Sequence, residues 1–545
     1  MPFKRVLASV SRRRASRPFP VQLPHPFDSP VCDSTICLRH IPLHIEVTVH
    51  TRRLAILPPE VWHLIFWYAT DDDTRFTPID FPARTTDSHE ISFLQFPHSH
   101  SDTDVRLEYY LRAIQKKHTL LHVCTQWSKI ALAVLYESIW VYKPNQAHLL
   151  ANVLSSPNGT QRGQFIKRLH IETPTLERCS PSDLRTIVDH LPCLEIYTDY
   201  RSIRRNVYAS NTTHPSSSTQ LLRAIAHPQS TLRRLSWTNY DDISFHLHLS
   251  RLLANAAPTL EFLELAFCNL DIHHFREPLH GDPGPPLRLP RLRSLKVCLH
   301  DATLAVLSSW DMPSLSNVSI VAADFSYAGD GFCTFFRTHG AKLHQLELAH
   351  SSSTIEEHYL TIPIDPPTAT TRNIRLAAWC PNLREFVCSA DAEWNWQNPD
   401  WIAPHVLLQA HPTLQLIGIR DLDKRLYDDM AAGHPNQFFL LLSQIESLLS
   451  RESFPELRFI RDMSFESNIL RSEAYSGAIT DFWMQVVRHC KTGEAWLEDY
   501  KGMNVTSKDM VRAQVKAMMR KKAEQEEQEL QRLKRNPLLH ILQNN

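Results

Sequence analysis

The sequence predicts an α/β fold, in which a small N-terminal helical module precedes an irregular solenoid of stacked strand-and-turn units. Three observations carry that expectation. Helical periods open the patterned part of the chain at LPPEVWHLIFWYATDDD, residues 57–73, and resume at KKHTLLHVCTQWSKIALAVLYESIWVY, residues 116–142. A Pro or His shortly before L-x-x-L-x-Φ, where Φ is apolar, then recurs in about ten units. Finally, 545 residues exceed what a single core organises, so several domains or a repeat array are expected.

Taken in order, residues 1–53 are rich in Pro, His and Arg with no sustained period, and are expected to be irregular. Within MPFKRVLASVSRRRASRPFP, Phe3, Val6, Leu7 and Val10 share one helical face, and no acid precedes Asp28. That composition suits a basic tail, a nuclear-import run at RRR or a mitochondrial presequence. Residues 54–143 read as the helical module, with an insertion at about 71–115 whose period is weak. From Pro58, Val61, Leu64, Ile65 and Tyr68 recur on one helix face, with Trp62, Phe66 and Ala69 beside them. A helix apolar over most of its circumference must be covered from two directions. Asp71, Asp72 and Asp73 then oppose the negative end of the helix dipole and stop it. Over 116–142, all read as helical, Leu120, Val123, Cys124, Trp127, Ile130, Ala131 and Leu135 form a second apolar stripe. By area alone the two segments could be one helical hairpin of a core.

LPPEVWHLIF followed by LLHVCTQWSKIALAVLYESIWV resembles an F-box. The family pattern is an LPxE start, an apolar helix, V-C-x-x-W-x-x-I-A and an L-[YW]-x-x-I ending. Leu57, Pro58, Glu60, Ile65, Val123, Cys124, Trp127, Ile130, Ala131, Leu135, Tyr136 and Ile139 match it. The resemblance implies docking on the Skp adaptor of a cullin-RING (SCF-type) ubiquitin ligase. It assigns the contacts to Leu57, Pro58, Glu60, Ile65, Val123, Cys124, Trp127, Ile130 and Leu135. The insertion replaces a short turn, an arrangement similar to that of F-box-like proteins in basidiomycete fungi. Closure entropy grows slowly with loop length, so it is tolerable.

Residues 144–465 carry the repeats: FIKRLHI, PCLEIYTD, STLRRLSW, PTLEFLEL, PRLRSLKV, PSLSNVSI, AKLHQLEL, PNLREFVC, PTLQLIGI and PELRFIRD. The last two marked positions of each fall on one side of a short strand, and the preceding proline ends the element before it. This is leucine-rich-repeat arithmetic, so the reading is a leucine-rich-repeat solenoid behind an F-box-like module. From Leu232 the first leucines lie 28, 32, 23, 28, 40, 31 and 43 residues apart, so the helical side must be irregular. Asp462 stands where the last unit should be apolar. The residues alternating with the leucines, Arg233, Arg234, Glu261, Glu264, Arg293, Lys296 and Gln345, are expected on or beside the inner face, meeting a protein target. Residues 466–503 read as a cap, with Phe482, Trp483, Val486, Val487 and Cys490 on a helix face. Residues 504–545 read as a charged, solvated helix whose narrow seam, Val511, Val515 and Met518, fades by Lys522.

The 58 basic and 58 acidic residues cancel, which argues against binding nucleic acid by charge. No apolar run reaches the roughly 18–20 residues that span a bilayer, so no membrane segment is expected. Eleven scattered cysteines suit reduced thiols in the cytosol or nucleus, with mitochondrial import a lesser alternative. No G-x-G-x-x-G, P-loop or G-x-S-x-G occurs, and with only 12 glycines no enzyme activity, cofactor or catalytic residue is expected. HSHSD at 98, HLH at 246, HH at 273 and CDSTIC at 32 lack zinc-like spacing, so no metal site is expected. With the F-box resemblance, the expected function is substrate recognition for a ubiquitin ligase. The alternative is a repeat scaffold without a ligase role, its first helices merely capping the array.

Overall fold

A computed structural model describes residues 57–70, 102–157, 159–173, 177–200, 218–239, 253–267, 286–299, 301–322, 330–349, 376–389, 408, 410–420, 422–432, 438–464, 477–499 and 502–535. Twelve strands form one parallel sheet whose spatial order is their order in the chain. They are β1 Ser138–Val141, β2 Arg168–Ile171, β3 Ile196–Tyr200, β4 Arg234–Asn239, β5 Phe262–Phe267, β6 Ser294–Leu299, β7 Asn317–Ala322, β8 Gln345–Ala349, β9 Glu385–Ser389, β10 Leu416–Arg420, β11 Phe459–Asp462 and β12 Trp496–Glu498. Each of the ten sequence repeats supplies one strand, β2 to β11. A sheet that advances one unit at a time is a solenoid, because each strand buries its face only against its neighbours.

Register explains the leucine spacing. Leu263, Leu295 and Val318 are mutual partners across β5, β6 and β7, as are Leu265, Val297 and Ile320. All six are buried in one continuous core, as the repeat frame requires. The leucine that precedes each of β3 to β11, such as Leu232, Leu260, Leu292, Leu315 or Leu343, fills a third column of that core, and Ile166 does so before β2. Helices between strands close it from the other side, among them Pro181–Asp189, Ser218–Ile225, Asp301–Ser308, Asp330–His339 and Phe439–Leu448, with lengths that differ from unit to unit.

One residue before each strand, the backbone makes a second ladder. Arg233 N–H donates to Glu195, Glu261 to Arg233, Arg293 to Glu261, Ser316 to Arg293, His344 to Ser316, Arg384 to His344, Gln415 to Arg384 and Arg458 to Gln415, all at 2.8–2.9 Å. These bonds fix how the chain enters each strand and create a regular rim beside the sheet.

Four elements depart from the sequence expectation. The helical period read across 116–142 breaks at residues 122–124, where the helix Asp102–Leu121 has ended and Thr125–Tyr136 is about to begin. Residues 138–141, expected to be helical, form β1, because Ile139 and Val141 alternate into the core in register with Leu169 and Ile171. Residues 102–115 of the insertion belong to an α-helix, Asp102–Leu121, on which Leu107, Tyr110, Ile114, Lys117 and Leu121 are half-buried at helical spacing. The segment expected only to cap the array adds a further unit, the helix Gly477–Thr492 followed by β12. Asp462 does occupy the apolar column, in register with Ile419, and is buried there. Burial pushes its carboxyl well above the usual range, and nearby Asp423 and Asp499 reinforce the shift while Ser464 opposes it.

Both sheet edges are engaged. At β1, the Trp140 N–H donates to the Tyr110 hydroxyl at 3.0 Å, reaching across from the helix Asp102–Leu121. At β12 the chain turns back antiparallel. Asp499 N–H donates to the Met503 carbonyl at 2.9 Å and Val505 N–H to Leu497 at 2.8 Å. Gly502 allows the turn through its φ of 73°, a conformation side chains disfavour. An open edge can template association with another chain, and these contacts occupy part of each edge. The expectations for residues 1–53 and for the His-rich pieces at 98, 246 and 273 lie outside the described residues.

Candidate functional site

Two surfaces could receive partners, and the first is on the helical module. The helices Pro59–Thr70, Asp102–Leu121 and Thr125–Tyr136 enclose a small core of their own, separate from that of the array, in which Phe66, Ala131 and Val134 are buried. Trp62, Leu120, Leu121, Trp127 and Ile130 pack around it. The Trp127 ring lies 4.8 Å from Phe66 and 5.3 Å from Trp62, close enough for edge-to-face and tilted aromatic contact. The Cys124 sulfur accepts the Trp127 N–H at 3.4 Å and thereby caps the third helix.

With Trp62, Phe66 and Thr70 turned inward, the opposite face of the first helix is left open. Val61, Ile65 and Tyr68 are exposed there, Tyr68 by 72%. Pro58 and Glu60 at the helix start, and Val123 and Cys124 before the third helix, are also exposed, while Leu57 and Leu135 are half-buried. Of the nine positions assigned by the F-box resemblance, five are therefore open to a partner. Trp127 and Ile130 instead support the module from within. Val61 and Tyr68 were not assigned as contacts, although their spacing with Ile65 on one helix face was visible in the sequence.

The second surface is the inner face of the sheet with its rim, where the seven expected target residues divide into two columns. Arg233, Glu261 and Arg293 lie on the rim: Arg233 and Arg293 are exposed and Glu261 is half-buried. Arg233 makes a two-pronged ion pair with Glu261, at 2.9 and 3.1 Å, and that hydrogen bond raises its pKa. Lys167 and Glu137 face each other on the same rim at 3.8 Å. Further along, Arg293 and Arg384 are exposed, and no described residue forms an ion pair with either. Among the described rim residues, the paired charges Lys167–Glu137 and Arg233–Glu261 thus give way to Arg293, Ser316, His344, Arg384 and Gln415.

Arg234, Glu264, Lys296 and Gln345 lie on the inner face itself. Contrary to the expectation of a solvent-facing polar surface, Arg234, Glu264 and Gln345 are buried, and Lys296 is largely so. They bind one another along the sheet. The Lys296 ammonium lies 2.7 Å from Glu264, and the Arg234 guanidinium stands 4.2 Å over the Phe262 ring. Burial opposes ionisation of Glu264, yet Lys296 and Arg234 hold its carboxyl below the ordinary range. Asn317 donates to the Ser294 hydroxyl at 3.2 Å and Gln345 to the Glu385 carboxylate at 2.7 Å, each one strand away. Arg420 on β10 pairs with Glu347 on β8, both buried. Between them on β10, Gly418 leaves room that a side chain would fill: a Cβ would press to 3.0 Å against Met463 and 3.3 Å against Val387. Pairing offsets the cost of burying polar groups, so this face forms a polar counterpart of the leucine core.

Among the described residues no three His, Cys, Asp or Glu side chains gather as metal ligands. Burial pushes the Cys179, Cys380, Cys388 and Cys490 thiols up to about 12, which suits packing and opposes nucleophilic use. No described helix is long and apolar enough to cross a membrane.

No known protein-family profile matches the sequence, and no curated protein does. Among solved structures, the chain is similar to the leucine-rich repeat-containing protein LegL7 from Legionella pneumophila. The identity is 11% and the TM-score 0.29, over 65% of this chain and 93% of that one.

Proposed function

We propose that the protein is a substrate-recognition subunit of an SCF-type ubiquitin ligase. Its helical module docks the Skp adaptor of a cullin-RING complex, and its repeat array holds a protein target while other subunits perform the ubiquitin chemistry. The observation that carries this reading is the uncovered apolar face Val61, Ile65 and Tyr68 on a helix whose other face is fully engaged. Residues of this kind are expensive to leave in water unless a partner covers them. Pro58 and Glu60 at the start of the same helix, and Val123 and Cys124 before the third helix, are exposed too, and the F-box resemblance assigns all four to the adaptor. For the target, the rim is the accessible surface, since the inner-face charges are already paired.

A second reading has its own support. The Tyr110 bond to the edge of β1 suits a scaffold whose first helices only close the array. The two readings separate on co-expression of the full chain with a Skp adaptor. The first expects a stoichiometric complex that is lost when Leu57 and Pro58 are both replaced by Ala while thermal melting stays unchanged. Retention of the complex in that variant, or no complex with the wild type, favours the scaffold.

A further inference from the structure

The C-terminal helix Ser507–Arg535 is anchored at its start, where Val505, just before it, and Met510, in its first turn, enter the core. From Val511 onward it runs on for about 37 Å at 1.5 Å per residue. Val511, Val515, Met518, Met519 and Leu530 are exposed along it, Met518 and Met519 by 58% and 69%. Successive steps of four and three residues place Val511, Val515, Met518, Lys522, Glu526 and Glu529 on one stripe. As a solvated helix this stripe is interrupted by charge and gains nothing from its apolar residues.

Part of its sequence is complementary to its own reverse about Glu524. Counting outward along this face, Lys522 corresponds to Glu526, Met518 to Leu530 and Val515 to Leu533, while Glu529 corresponds to Met519. We propose that this helix pairs with the same helix of a second copy of the chain, antiparallel and centred on Glu524. In that frame each Lys522 faces the other copy's Glu526, so two of the three charged residues on the stripe form symmetric ion pairs, and the third, Glu529, lies beside the other copy's Met519. Met518 and Leu530 meet on either side of the ion pairs. A parallel pair would set Lys522 against Lys522 and Glu526 against Glu526, and such like-charge contacts select orientation in helical pairs. Within one copy Lys522 and Glu526 lie 3.9 Å apart on the exposed helix, a contact too open to hold them out of the dimer. The antiparallel arrangement also places the two arrays at opposite ends of the paired helices. The inference is independent of the adaptor reading, since no residue is shared.

Analytical ultracentrifugation of the full chain from 1 to 200 µM tests it. The expected result is a reversible dimer of twice 62.9 kDa. Met518→Glu with Leu530→Glu should abolish the dimer without lowering the melting temperature of the array. Lys522→Glu, which sets Glu against Glu526, should weaken dimerisation at least tenfold, and adding Glu526→Lys should restore it. Four results would overturn the proposal: a monomer throughout, a dimer that survives the Met518 and Leu530 changes, a charge swap that fails to restore pairing, or a monomeric chain whose helix instead binds anionic lipid vesicles.

Discussion

Leu295→Ala tests the stacked core where it is most continuous. Leu295 is fully buried on β6, with Leu263 and Val318 in register on the adjacent strands and Leu292 and Val297 in its own unit. Truncation removes three carbons from a column whose walls are held by strand pairing on both sides, so little collapse can refill the space. Buried leucine truncations cost about 2–5 kcal/mol, rising with the cavity left behind, and this site should fall in the upper part of that range, about 3–5 kcal/mol. Denaturant unfolding measures the loss, and hydrogen exchange locates it. Because each unit is stabilised by its neighbours, protection should fall across residues 260–320 while residues 59–70, in a separate small core, keep theirs. A loss below about 1 kcal/mol, or exchange that rises equally in both regions, would refute the argument from stacked columns.

Other expectations follow from the polar face and the rim. Arg420→Ala removes the guanidinium that pairs with buried Glu347 and should cost about 3–5 kcal/mol, whereas Arg420→Met combined with Glu347→Leu should lie near the wild type; additive losses in that cycle would deny the coupling. Asp462 keeps its proton in the folded state above the pH at which an unfolded aspartate loses it, so its contribution is full below about pH 4 and is lost as pH rises toward the folded value. Asp462→Asn should therefore flatten the fall in stability with rising pH; an unchanged slope would mean the carboxyl is ionised in the fold. His339 acts in the opposite sense: burial lowers its pKa from 6.5 to about 4, so stability should fall as pH drops between those values, and His339→Gln should lessen that fall in acid melts. On the rim, Arg293→Glu should shift stability by less than about 0.5 kcal/mol, while Glu264→Ala, which strips Lys296 and Arg234 of their counter-charge, should cost several times more; equal effects in thermal melts would erase the distinction between the two columns.

Strands β2 to β11 were legible because most carry two alternating apolar residues behind a leucine or isoleucine, with Asp199 in β3 and Asp462 in β11 the exceptions, and that frame survives large changes in helix length. β1 was not, since SIWV follows an unbroken helical period and only pairing with Leu169 and Ile171 converts it to a strand. β12 offers just Trp496, Leu497 and Glu498, too little to show a period. The helix across residues 102–115 was hidden by a stripe that needs Lys117 as one of its half-buried members. At the candidate sites, spacing revealed which residues alternate with the core but not that the inner face is itself closed. Arg234, Glu264 and Gln345 look like surface residues to any period-based reading, because their burial depends on partners 28 to 40 positions distant. The open face of the first helix was partly legible. Its double apolar circumference required two coverings, and the fold supplies one.

The account turns on that second covering, and calorimetric titration of the full chain with a purified Skp adaptor addresses it directly. Saturable one-to-one binding is expected, weakened at least a hundredfold by Ile65→Asp, which places a charge at the centre of the Val61, Ile65 and Tyr68 face without touching Phe66 or Trp127. Absence of binding by the wild-type chain, or undiminished binding by a folded Ile65→Asp variant, would contradict the assignment of this face to the adaptor.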